Sequence, residues 1–378
     1  MSSFRYFISF FGCNPNIHAC IRPILDSRFP YIRVNYTYTQ ERDPAELSIT
    51  TGFRDAYIPM ASILSGETPC DVLFFTSPVA PNGFGVSPKI FQQKGIKLIY
   101  VPYATEFLRT GYLRWFMTLP HLHADVIFAS SPAAVLYYEK FRPDCSHKVH
   151  TYGFPESDIL YNKGYEHDSY YQKLKKFTAG RRTLLWTPHW SVDASPHIST
   201  FLRYGSLLHK LLVQDKDVVC IVRPHPALIN MLPRMRRPVK LAVCSIFEQL
   251  KQLNNVWIDE SPFMVPAIAA SDLLISDCSS LIQKYWVTGK PVAYTKIENT
   301  VNDEIQEQIE QAMYLIKDHN QFRTTFSQLV NGHDPLREQR ADLADFFCGP
   351  HDGRCSERII NNVLESMHNS QKTAQARI

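Results

Sequence analysis

The sequence predicts an α/β protein made of two doubly wound domains, each a parallel sheet covered by helices on both faces. Its length is the first reason, because 378 residues exceed what one hydrophobic core normally supports. The second is that short β-branched or aromatic runs alternate with amphipathic stretches, the pattern of a parallel sheet with crossover helices. The third is that this alternation lapses once, over the polar residues 156–181, rich in Tyr, Lys and Asp, and then restarts.

In the first series, strands are predicted at residues 4–11, 31–36, 71–75, 97–101, 125–129 and 148–152, with helical stretches at 18–26, 106–119 and 132–141 between them. The second series places strands at 182–187, 217–222, 256–259, 272–276 and 291–294, and helices at 197–213, 245–253, 264–270 and 279–288. Ile359, Ile360, Val363 and Leu364 recur at helical spacing and predict a terminal helix over 357–367. The expected division is a first domain over 1–155, a connection over 156–181, a second domain with the terminal helix over 182–368, and a frayed tail over 369–378. Two such domains imply a cleft, and doubly wound sheets take ligands at the carboxyl ends of their strands.

Composition narrows the function classes. Hydrophobic residues make up 45% and charged residues 20%, enough apolar side chain for two cores and no case for disorder. A net charge of +4 is far from the dense basic footprint of a dedicated nucleic-acid binder, so none is expected as partner. The cluster Arg234, Arg236, Arg237 and Lys240 reads either as a solvated loop or as a contact for anionic lipid or polymer. The nine cysteines show no paired or metal-ligand spacing, which fits reduced thiols in a reducing compartment. The amino terminus lacks a basic leader and a cleavage site, and no run approaches the roughly 18 apolar residues of a membrane span. A cytoplasmic protein is expected, at most resting on the inner membrane surface. No glycine-rich dinucleotide or Walker fingerprint occurs, and no cofactor or metal is required.

Three strand ends carry the candidate chemistry. In Asp277-Cys278-Ser279-Ser280 a strand gives way to a helix start, where free amides and two hydroxyls suit an anion; the plain alternative is a helix cap. In Arg223-Pro224-His225-Pro226 two prolines stiffen the loop around His225, and Arg223 offers a fork for phosphate. In Thr187-Pro188-His189-Trp190-Ser191 the hydroxyl and imidazole groups follow the first strand of the second series; Trp186 and Trp190 packing without ligand contact is the competing reading.

Taken in order, the Thr-Pro strand end, the Arg-Pro-His-Pro loop, the Ser-Asp-Cys-Ser-Ser start with Thr288-Gly289-Lys290-Pro291, and His351-Asp352-Gly353 continuing to Ser356 and Arg358 resemble the CDP-glycerol glycerophosphotransferase family, whose members build teichoic acids and related capsular polymers. Gly153-Phe154-Pro155-Glu156-Ser157-Asp158 resembles that family's entry to its second domain. The resemblance implies a GT-B-like fold with an acceptor-side first domain and a donor-binding second domain. It implies a CDP-linked polyol donor with His225, Ser279 and Ser280 on the diphosphate and Asp352, Ser356 and Arg358 near the same ligand; Thr187, His189, Arg223, Asp277 and Lys290 are expected to bind the donor as well. Two departures stand out: His189-Trp190-Ser191 replaces the family's Thr-Trp-Arg, and Val101-Pro102-Tyr103-Ala104-Thr105-Glu106 replaces a His-Gly proposed to hold the catalytic base. Glu106 is then the nearest carboxylate, with His121 and His123 as alternatives.

The reading is a transferase that moves glycerol phosphate, or a related polyol phosphate such as ribitol phosphate, from a CDP carrier to a surface-polymer or lipid-linked acceptor, releasing CMP. Glu106 and His225 are the expected catalytic residues. The alternative is a GT-B glycosyltransferase using a CMP- or UDP-linked sugar in capsule or lipopolysaccharide synthesis, which shares the fold.

Overall fold

The computed structural model describes residues 6–11, 20–21, 32–38, 57–76, 87–103, 119–297 and 303–375. Thirteen strands form two sheets among them. The first contains β1 (Tyr6–Phe11), β2 (Ile32–Tyr38), β3 (Tyr57–Pro59), β4 (Val72–Phe75), β5 (Lys97–Tyr100), β6 (Val126–Ala129) and β7 (Val149–Thr151), in the order β3-β2-β1-β4-β5-β6-β7. The second contains β8 (Thr183–Thr187), β9 (Val219–Val222), β10 (Val256–Ile258), β11 (Leu273–Ser276), β12 (Val292–Thr295) and β13 (Tyr314–Ile316), in the order β10-β9-β8-β11-β12-β13. Every pairing is parallel. Each sheet therefore reverses its winding beside its first strand, at β1/β4 and at β8/β11, the doubly wound arrangement.

The central strands are buried along their whole length because helices cover both faces: every residue of β4, β8, β9 and β11 is buried. The helix Phe201–Gln214 buries Phe201, Tyr204, Gly205, Leu207, Leu208 and Leu212, one stripe of a 3.6-residue period. Gly205 admits the neighbouring helix Arg237–Lys251, since a Cβ there would lie 2.8 Å from the Ile246 side chain. That helix begins well before the expected 245, because Pro238 fits the first turn of a helix as well as it fits a loop.

The chain divides into two compact units. The expected boundaries differ from it in two places. The polar segment 156–181 is largely helical: Pro155–Tyr161 belongs to the first unit, whereas Ser169–Thr178 belongs to the second. The terminal helix, Cys355–Gln375, also belongs to the first unit and not to the second domain. Its Ile359, Ile360, Val363, Leu364 and Met367 pack with Tyr6, Ile8, Phe10, Ile99 and Val101 of the first sheet. Asp158 fixes its start, with the carboxylate accepting from the Cys355 N–H at 2.8 Å and the Ser356 N–H at 2.7 Å. Two further bonds run along it, from Asn362 Nδ2 to the Tyr152 hydroxyl at 2.8 Å and from Lys97 Nζ to the Ser366 carbonyl at 2.7 Å. Gly153 lets the returning chain approach: its φ is +82° and a Cβ would stand 2.0 Å from the Pro350 carbonyl oxygen.

No helix among the described residues is long and apolar enough to cross a membrane.

Candidate functional site

The second sheet reverses its winding between β8 and β11, the switch point at whose carboxyl edge doubly wound sheets take nucleotides. The loops leaving β8 and β9 stay side by side beyond the strands. The Arg223 N–H donates to the Trp186 carbonyl at 2.8 Å, and the His225 N–H to the Pro188 carbonyl at 3.0 Å. This extended ladder brings His189 and His225 together, with ring centroids 5.6 Å apart.

Both imidazoles accept a backbone N–H on Nδ1. His225 caps the short helix Pro226–Met231, its Nδ1 accepting from the Ala227 N–H at 3.1 Å. The Nδ1 of His189 accepts from the Ser191 N–H at 3.2 Å and lies 2.8 Å from the Ser191 hydroxyl, which itself accepts from the Ile198 N–H at 3.0 Å. A backbone N–H can only donate, so each neutral ring carries its proton on Nε2. The site thus holds two Nε2–H donors on adjacent, backbone-locked loops, and donors of this kind suit an oxyanion.

Asp277 organises the surrounding loops from inside. It is fully buried, and its carboxylate accepts from the His189 N–H at 2.8 Å, the Thr200 N–H at 3.1 Å, the Ser199 hydroxyl at 3.1 Å, the Thr295 hydroxyl at 2.9 Å and the Thr200 hydroxyl. Burial pushes its pKa above the usual carboxylate value, and the bonds from Thr200, His189 and Thr295 oppose that shift. Thr187 is buried as well; its hydroxyl donates to Ser276 Oγ at 2.7 Å, and Ser276 Oγ donates to the Asp277 carbonyl at 2.9 Å. Asp277 and Thr187, expected at the ligand, face inward and hold the loops that carry His189.

Arg223 is also turned from its expected place. Its guanidinium is about one-tenth exposed and pairs with Asp259 at 2.6 Å. The other Asp259 oxygen accepts from the Tyr170 hydroxyl at 2.7 Å and the Ser261 N–H at 2.9 Å, and Trp257 Nε1 donates to the Tyr170 oxygen at 3.0 Å. Arg223 therefore anchors the His225 loop to the end of β10. Lys290 differs likewise: its ammonium donates to the carbonyls of Ile268 and Ala269 at 3.2 Å and of Ser271 at 2.5 Å, closing the end of the helix Val265–Ala270. Three carbonyls use its three N–H groups, and burial lowers its pKa.

The serines divide between the two roles expected for them. Ser279 Oγ accepts from the Leu281 N–H at 3.2 Å as the chain turns into the helix Leu281–Trp286. Ser280 makes no side-chain capping bond, so its half-buried hydroxyl is available to a ligand.

Asp352, Ser356 and Arg358 belong to the first unit rather than to the second. Arg358 pairs with Asp352, which holds the Asp352 carboxyl below its ordinary value. Ser356 Oγ and Arg358 Nη1 are buried without a hydrogen-bond partner. Glu106 lies outside the described residues. His121 is fully buried, edge-on to Tyr100 and Tyr138 at 4.9 and 5.6 Å, whereas His123 is half-buried with Nδ1 3.4 Å from Gln92 Oε1. Among the described residues no group of His, Cys, Asp and Glu could hold a metal ion.

Asp259, Tyr170, Ser199 and Thr200 were not singled out from the sequence. Their partners stand 36 to 89 residues away along the chain, and no local pattern carries such a pairing. Asp158 did carry a signal, the Gly-Phe-Pro-Glu-Ser-Asp motif, although its role is to hold the start of the terminal helix.

Comparison with known proteins gives a consistent result. The profile of the family described as CDP-Glycerol:Poly(glycerophosphate) glycerophosphotransferase matches residues 104–365. Among solved structures, the wall teichoic acid polymerase TagF, as a variant soaked with CDPG, superposes with a TM-score of 0.69 at 13% identity, over 97% of this chain and 90% of that one. A UDP-GlcNAc 2-epimerase from Neisseria meningitidis bound to UDP-GlcNAc gives 0.64 at 15% identity, over 95% and 100% of the two chains. A further UDP-N-acetylglucosamine 2-epimerase gives 0.62 at 16% identity over 98% and 97%. No curated protein sequence matches. The shared architecture is GT-B-like, with two Rossmann-type domains.

Proposed function

The chain belongs to the CDP-glycerol:poly(glycerophosphate) glycerophosphotransferase family, and on that premise we propose that His189, His225, Ser279 and Ser280 form its donor-diphosphate site. The family match over more than half of the chain carries the activity: transfer of glycerol phosphate from CDP-glycerol to a polymer acceptor. A GT-B-like fold alone would not choose it, because the UDP-GlcNAc 2-epimerases share that fold.

In the transfer, an acceptor hydroxyl oxygen bonds to the phosphorus bearing glycerol. The bond from that phosphorus to the bridging oxygen breaks, and CMP leaves with the electron pair. The acceptor proton passes to a base, for which we propose Glu106. Charge grows on the departing phosphate, so Nε2–H donors fixed beforehand stabilise the transition state without reorganising. His225 supplies the central donor and Ser280 adds a hydroxyl. Arg223 and Asp277 act through the loops they hold.

Ribitol phosphate as an alternative cargo, capsule synthesis as the setting, a lipid-linked primer as acceptor, and work from the cytoplasm at an anionic inner membrane face complete the proposal.

Thermal stabilisation by CDP, CMP, UDP and GDP tests the donor reading. A ligand at a hundred times its dissociation constant adds about 2.7 kcal/mol, so the cytidine nucleotides are expected to raise the melting temperature and the others to leave it. Stabilisation by UDP far above CDP would replace this reading with a nucleotide-sugar glycosyltransferase. For the base, Glu106→Gln is expected to lower turnover with CDP affinity kept.

A further inference from the structure

Residues 188–200, between β8 and the helix Phe201–Gln214, form a loop whose two ends are fastened to one carboxylate. Asp277 accepts the His189 N–H at 2.8 Å from one end, and the Ser199 hydroxyl and the Thr200 N–H at 3.1 Å from the other. Ser191 makes a second closure inside the first. It is fully buried, and its Oγ accepts the Ile198 N–H, seven residues further on, at 3.0 Å. The tip of the loop is tied separately, with Asp193 accepting from Arg236 Nε at 2.7 Å. Compact surface loops whose ends are joined are frequently functional.

The bond from Ile198 uses the Ser191 oxygen as acceptor and leaves its hydrogen to be placed. Among the described residues its one acceptor is His189 Nδ1, 2.8 Å away. The reverse arrangement, Nδ1–H donating to Ser191 Oγ, is disfavoured twice. It would leave the hydroxyl hydrogen buried without an acceptor, and it would set the Nδ1–H against the Ser191 N–H, which is directed at the same nitrogen from 3.2 Å. Stranding a buried donor costs more than one hydrogen bond returns. The serine therefore selects the tautomer of the ring as well as its direction.

The ring is held on its faces too. Trp190 and His225 flank it, with ring centroids at 5.3 and 5.6 Å. Ordering a half-buried imidazole so fully costs conformational entropy, and folding does not call for it. The family's pattern has Thr and Arg where this chain has His189 and Ser191. With Ser191 turned inward, His189 is the member of the pair that a ligand can meet, and the two exchanges act as one unit.

We propose that Ser191 is a positioning residue for the transfer: anchored by Ile198, its hydroxyl donates to His189 Nδ1 and keeps the Nε2–H of that ring as a fixed donor to the diphosphate of the CDP-linked substrate. The role rests on the donor-site reading above, which gives His189 its ligand.

The test combines NMR of the nitrogen-labelled full chain, the His189 ring being assigned by its loss in His189→Ala, with calorimetric titration of CDP. The wild-type ring is expected to show a protonated Nε2 and a hydrogen-bonded, unprotonated Nδ1. Ser191→Ala is expected to move the Nδ1 signal towards that of an unbonded nitrogen and to weaken CDP binding about 2- to 10-fold, the span of one neutral hydrogen bond. Ser191→Thr keeps the hydroxyl and is expected to recover both. In the His189→Ala background, Ser191→Ala is expected to change CDP affinity by less than about 2-fold, because the hydroxyl then has no ring to hold. An equal loss with and without the ring makes Ser191 a structural residue only and overturns the proposal. So does an Nδ1 signal that Ser191→Ala leaves in place, or a wild-type ring protonated on Nδ1. Should the extra methyl group of Ser191→Thr unfold the protein, the double-mutant cycle decides alone. A wild type that does not bind CDP, or a His189→Ala protein that binds it as tightly as the wild type, strikes the donor-site reading instead, and the NMR comparison still decides whether Ser191 holds the ring.

Discussion

Replacing Asp277 should separate the site's internal frame from its ligand contacts. The carboxylate accepts two backbone N–H groups, from His189 and Thr200, on Oδ2, and the hydroxyls of Thr200 and Thr295 on Oδ1. Asp277→Ala leaves both amides buried without an acceptor, at about 1–3 kcal/mol each. Removing a buried charge returns part of this, so the expected loss is about 2–5 kcal/mol. For a domain of this size that corresponds to a fall of about 4–20 °C in its melting temperature. Asp277→Asn should cost less, about 1–2 kcal/mol, because the amide can keep its oxygen towards the backbone N–H groups and donate its NH2 to the two hydroxyls. The pH dependence has a defined sign. Burial raises the folded pKa above the unfolded value, so this group's contribution is complete below the unfolded pKa and is lost as pH rises through the folded one. The advantage of wild type over Asp277→Asn should therefore shrink as pH rises from the carboxylate range towards neutrality. Calorimetry of the three proteins at several pH values, with CDP titration at each, reads both effects. An Asp277→Ala protein with wild-type stability and CDP affinity would refute the assignment of Asp277 as the residue that holds the His189 loop.

His225→Ala and Ser280→Ala are each expected to weaken CDP binding by about 1–3 kcal/mol without unfolding the protein; in the double variant the losses should fall short of additive because both groups serve one diphosphate. Isothermal titration decides it, and unchanged affinity in His225→Ala would remove the residue from the site. Arg223→Ala is expected to destabilise the second unit by about 3–5 kcal/mol, since it strands the buried Asp259 carboxylate; Arg223→Met with Asp259→Leu should recover much of that in urea melts, and an inert Arg223→Ala would show that the pair holds nothing. Burial raises the Cys70 thiol to about 11 and the Cys355 thiol to about 12. Both should resist an aromatic disulfide reagent at pH 8 in the folded protein and react once it is unfolded. Stability from these thiols is present below their unfolded pKa and is lost as pH rises through the folded values.

The parallel sheets were legible because a strand covered on both faces must be apolar along nearly its whole length, and β4, β8, β9 and β11 are such runs. β3 and β13 were not, although β7 and β10, edge strands of the same three-residue length, were. At the site, the sequence alone determined that His189, His225 and Ser280 follow strand ends in one doubly wound domain, because strand, loop and helix start are local features. It made the same offer for Thr187, Arg223, Asp277 and Lys290, whose polar groups in such loops look like ligand contacts. Only the tertiary structure decided that these four face inward. Their partners, Ser276, Asp259, Thr200 and the carbonyls at the end of Val265–Ala270, come from distant segments. The terminal helix shows the same limit: its apolar stripe was plain in the sequence, but a stripe does not say which sheet it will cover. Helical periodicity fixes which side chains need burial, whereas the burial partner depends on Asp158 and Gly153 bringing the chain back to the first sheet.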